Sequence, residues 1–69
     1  MNANQAVKVN EQMTNELFEA AKEMATRLNM TVSKAIDKKV SVHQKYAKSN
    51  NEAAAWDVRG VNAKKLINQ

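Results

Sequence analysis

Two spacings of apolar residues divide the first half of the chain. Between Val7 and Met13 the segment VKVNEQM alternates. Val7, Val9, Glu11 and Met13 fall on one side of an extended backbone and Lys8, Asn10 and Gln12 on the other, which predicts a short strand with Glu11 breaking its apolar side. From Thr14 the interval lengthens to three and four residues. Leu17, Ala21, Met24, Ala25 and Leu28 then share one stripe of a helix, with Phe18 at its border and Glu19, Lys22, Glu23 and Thr26 facing outward. Thr14 is expected to cap that helix, Glu16 and Glu19 to sit at the positive end of its dipole, and Asn29 to end it in the left-handed conformation.

Helical spacing resumes after Thr31, whose hydroxyl suits an N-cap. Val32, Ala35, Ile36, Val40, His43 and Ala47 form the apolar side of a second helix, and Lys34, Asp37, Lys38 and Lys45 the polar side. Ser49 and Glu52 have the spacing of a capping box, so a third helix is expected through EAAAWDVR, ending at Gly60. The last stretch, VNAKKLINQ, reads as a short amphipathic turn or a disordered basic end, and MNANQ as a frayed start.

Length and charge sharpen this reading. A chain of 69 residues buries only about 60% of its unfolded surface, which is marginal for a monomer. A lone strand also needs a partner for its hydrogen bonds. With no cysteine there is neither a disulfide framework nor a thiolate metal site, so oligomerisation is the expected supplement. No apolar run nears the roughly 18 residues of a membrane span and the start lacks the pattern of a signal peptide, which places the expected location in the cytoplasm. The net charge of +4 is unevenly spread. Residues 1–29 carry three basic and four acidic side chains and residues 30–69 eight basic and three acidic, so the second half suits a polyanionic partner.

The order of strand, helix, short turn and helix, with MTNEL at Met13 to Leu17 and the pattern A-x-x-x-N-M-T-V-S-x-x-I at Ala25 to Ile36, resembles the ribbon-helix-helix DNA-binding repressors. The resemblance covers roughly residues 6–47. It departs from the family at Asn29, where Gly is usual, and at Glu11, where an apolar residue is usual. It implies a mostly α fold with one short β-strand, paired between two chains as an antiparallel ribbon in an intertwined homodimer. The domain so implied spans residues 6–48, between a flexible start at residues 1–5 and a partly helical C-terminal extension at residues 49–69.

What the resemblance implies about function is a repressor or autoregulator that reads double-stranded DNA. Lys8, Asn10 and Gln12 on the ribbon would contact bases in the major groove, a task that suits their donors and acceptors. Thr31, Val32, Ser33 and Lys34 would hold a backbone phosphate at the start of the second helix. Dimers would gather in higher order on adjacent half-sites of a phage or plasmid operator.

Three alternatives stand beside it. The first is an antitoxin whose residues 49–69 bind a toxin. The second is a small non-enzymatic inhibitor that places its basic face on a protein partner. The third is a helix-turn-helix DNA binder over Ala25 to Val42, although the position that such a motif buries falls on Lys38. No nucleophile and base pair, phosphate loop or metal-ligand cluster appears, so neither an enzyme, a metal nor a cofactor is expected. His43 reads as a boundary residue, Trp56 as a packing anchor and the methionines as core fillers.

Overall fold

The computed structural model describes the backbone of residues 3–68 and the side chains of residues 10–68. Three helices follow one another: α1 (Ala3–Leu28), α2 (Val32–Lys45) and α3 (Asn50–Lys65), the last passing into a 3-10 turn over Leu66–Asn68. Each helix packs on both others, so the three enclose one core.

No strand exists among the described residues, which overturns both the ribbon and the intertwined ribbon dimer. The segment expected to be a strand is the first half of α1. Its alternation competes with a second spacing in the same residues, since Val9, Met13, Leu17 and Ala21 are each four apart. That interval continues the helical stripe, and no Gly or Pro interrupts it. Glu11, awkward on a strand's apolar side, is simply exposed on the helix. Thr14, expected as a cap, is instead 8% exposed within α1, so no cap divides the segment there.

Where backbone chemistry is local, the elements end as their residues dictate. Asn29 has φ 54°, and the Met30 amide donates to the Ala25 carbonyl at 3.0 Å, a Schellman closure of α1. Thr31 Oγ1 accepts from the Lys34 amide at 3.1 Å and opens α2. Ser49 Oγ accepts from the Glu52 amide at 3.1 Å, and the Glu52 carboxylate accepts from the Lys48 amide at 2.9 Å, which starts α3. Gly60 does not end that helix. It lies buried in the middle of α3, where a Cβ would stand 2.9 Å from Val40 Cγ2, so the missing side chain lets α3 approach α2 closely.

The core is built from Leu17, Ala21 and Ala25 of α1, Ala35, Ile36 and Val40 of α2, and Trp56 and Ala63 of α3, with Met13, Met24 and Met30 packed around it. Small residues dominate this set. Among the described residues only Ile36 is a large side chain with no exposed surface, so the bundle depends on close backbone approach as much as on side-chain volume. Among the described residues no helix is long and apolar enough to cross a membrane.

Candidate functional site

Charge separates by helix. The outward side of α1 carries Glu11, Glu16, Glu19 and Glu23, with Lys22 paired to Glu19 at 3.1 Å. The outward side of α2 carries Lys34, Lys38 and Lys45, and Arg27 lies near them at the end of α1. Asp37, the one acid on α2, is held by Lys64 at 2.7 Å, which neutralises it locally. The cations of α2 therefore face solvent with little internal compensation.

Between α1 and α2 runs an open groove. Its wider part, about 830 Å³, is lined by Met24 and Val42 together with Arg27, Lys34 and Lys38. A smaller part of about 220 Å³ reaches Met13, Leu17 and Trp56, and the two share Lys39 and His43. Apolar side chains thus form much of the wall while cations crowd one end. Val42 is 56% exposed, so its side chain is open to solvent along the groove.

The inner end of the groove is braced by an aromatic stack. The His43 ring lies parallel to Trp56, with centroids 3.8 Å apart, and the Arg59 guanidinium stands 4.6 Å from the Trp56 centroid. Arg59 Nη2 donates to Asn10 Oδ1 at 3.0 Å, tying α3 to α1, while its buried Nε has no acceptor. Gln44 Nε2 donates to Asp57 Oδ1 at 2.6 Å and to the Ala53 carbonyl at 3.1 Å, tying α3 to α2. Burial, and then the charges of Lys39 and Arg59, push the His43 imidazole below its ordinary value of 6.5.

Of the residues expected to read bases, Asn10 and Gln12 do not share a face, being on α1, two positions apart and hence on different sides of a helix. Asn10 is engaged by Arg59, and Gln12 donates to Glu16 at 3.3 Å. Lys8 belongs to the same helix, but its side chain lies outside the described residues. Without a ribbon, the proposed major-groove reading has no element to perform it.

Thr31, Val32, Ser33 and Lys34 do stand together at the start of α2, with Thr31 already using its hydroxyl on the Lys34 amide. The helix-turn-helix alternative also meets a difficulty, because Lys38 is exposed and α2 buries Ile36 and Val40 instead. α3 contributes Trp56, Gly60 and Ala63 to the interior, so the segment that the antitoxin alternative reserves for a toxin is already docked on the core, which argues against that alternative.

The groove has no signature along the chain, because Met13, Met24, Lys39 and Val42 meet only when α1 packs on α2; the four-residue interval from Val9 to Ala21 signals only that α1 begins before Met13. Among the described residues no three His, Asp or Glu side chains gather into a possible metal site. No family model matches the chain, and no curated protein or solved structure matches it significantly.

Proposed function

We propose that the protein is a non-enzymatic binding protein that sets the basic face of α2 against an acidic surface of a partner protein. One observation carries this: Arg27, Lys34 and Lys38 line the same groove as the apolar Met24 and Val42. A phosphate backbone rewards cations alone, whereas a protein surface offers carboxylates and apolar side chains together. The acidic row on α1 adds to the contrast, since it would repel a polyanion that extended beyond α2.

The experiment is a photo-cross-linker at Ser41, beside the basic residues, in the full chain within its producing cells. The expected result is a nuclease-resistant adduct to one protein, lost when Lys34→Glu and Lys38→Glu are combined. Adducts that disappear with nuclease overturn the reading. So does duplex DNA binding tighter than about 10⁻⁶ M at physiological salt, beyond the usual non-specific range.

A further inference from the structure

We infer that the groove between α1 and α2 receives an acidic amphipathic helix of the partner, seated as a fourth helix of the bundle. This rests on the reading of a protein-binding basic face and adds which element of the partner docks there, and in which direction.

Both walls of the groove are helices, so no free strand edge is present to pair with an extended peptide. A helix makes its own backbone hydrogen bonds and needs only side-chain contacts from the groove. α3 already packs on the other side of α1, where Arg59 meets Asn10 and Asn62 faces Thr14 across a shallow hollow. The α1–α2 groove is the corresponding position left open.

Its dimensions suit the occupant. The apolar wall on α1 runs from Met13 to Met24, a rise of eleven residue steps, or roughly 16 Å and three helical turns. That length meets apolar side chains at i, i+3 or i+4, and i+7 of a docked helix. Methionine is the side chain best able to adapt to such a guest, being unbranched and polarizable, and one stands at either end of the wall.

Charge sets the direction. Arg27, Lys34 and Lys38 gather at the Met24 end, where the carboxylate of Asp37 is paired with Lys64, while Glu16 flanks the Met13 end. The occupant's carboxylates therefore lie at the Met24 end. Its C-terminus, the negative end of a helix dipole, is favoured there too. A helix with lysines in place of those carboxylates meets like charges and is rejected.

The test uses the full chain, isotope-labelled for amide resonances, and two synthetic peptides of about 15 residues. Both carry leucines at i, i+4, i+7 and i+11; one has glutamates in its C-terminal half and the other lysines. The acidic peptide is expected to shift the amides of Met13, Met24, Lys39, Val42 and His43, and to bind at least tenfold more tightly than the basic one. Val42→Asp, at an exposed position that keeps the fold, should lower that affinity at least tenfold.

Equal binding of both peptides, or shifts confined to the Val58 and Val61 side of α3, overturns the inference. So does a concentration-dependent dimer that the peptide disperses, because that assigns the groove to a second copy of this chain. The two claims fail separately. If Lys34 and Lys38 govern the Ser41 adduct while the acidic peptide leaves the groove amides unmoved, the basic-face reading stands and the helix-docking inference falls. A nucleic-acid adduct removes the former.

Discussion

α2 buries Ala35, Ile36 and Val40 on one side and sends Lys34, Lys38 and Lys45 outward, whereas α3 buries Trp56, Gly60 and Ala63 yet leaves Val58 and Val61 largely exposed. α2 has an apolar stripe that marks which side it buries. α3 does not, and its orientation comes from specific contacts. Trp56 stacks on His43, Gln44 bonds Asp57 and the Ala53 carbonyl, Arg59 bonds Asn10, and Lys64 pairs with Asp37. A helix with apolar residues on two sides needs such contacts to choose which one to bury.

The largest effect that separates the two modes is expected at Trp56. Trp56→Ala removes the aromatic body from the α3 contact together with its stacks on His43 and Arg59, and should cost about 3–5 kcal/mol. Ile36→Ala should cost about 2–5 kcal/mol through the cavity it leaves. In a domain of this size either loss is of the order of the whole stability, about 3–5 kcal/mol. Urea unfolding followed by circular dichroism measures both. If Trp56→Ala costs less than about 1 kcal/mol, the polar ties hold α3 without its anchor and the comparison fails.

A smaller effect belongs to Gly60. Alanine is the better helix former by about 1 kcal/mol, but its Cβ would meet the stiff Val40 side chain at 2.9 Å, and overpacking of a core costs roughly 1–3 kcal/mol. Gly60→Ala should therefore destabilise by about 1 kcal/mol in the native background. Placed on Val40→Ala, where the obstructing methyl groups are gone, the same substitution should stabilise. The sign reversal is the diagnostic, and additivity of the two changes would show that the close approach of α3 to α2 is not limiting.

The smallest expected effect is a pH dependence from His43. Its folded-state pKa lies below the ordinary 6.5, so both states are neutral above that value and the favourable difference is complete there. As pH falls below 6.5 the unfolded chain takes the proton first. Stability then declines until pH passes the folded-state pKa, below which this contribution changes no further. Thermal melts between pH 7.5 and 5 should show the decline, and His43→Phe, which keeps an aromatic face for Trp56, should flatten that part of the curve. An unchanged slope would assign it to other groups.

Local chemistry was legible from the residues alone. Asn29 at a left-handed φ, Thr31 on the Lys34 amide and Ser49 on the Glu52 amide each act through atoms a few positions apart, so the chain determines them wherever the helices later pack. The concentration of positive charge after residue 29 was equally plain, because it is a property of composition.

Residues 6–13 were another matter. Their apolar positions satisfy both a two-residue and a four-residue interval, and a segment that short does not settle between them by propensity. Packing settled it: as part of α1, Met13 reaches the core cluster, Thr14 is buried and Asn10 meets Arg59 of α3. Gly60 shows the same division. Its lack of a side chain suggests a helix end when read locally, but close contact with Val40 uses it as a helix interior. The groove, too, belongs to tertiary structure, since Met13, Met24, Lys39 and Val42 become neighbours only when α1 and α2 fold against each other. The chain by itself determined where two turns fall and where its charge lies; packing decided what the first helix contains, which side of α3 is buried and which side of the hairpin stays open, because those depend on contacts between residues far apart in sequence.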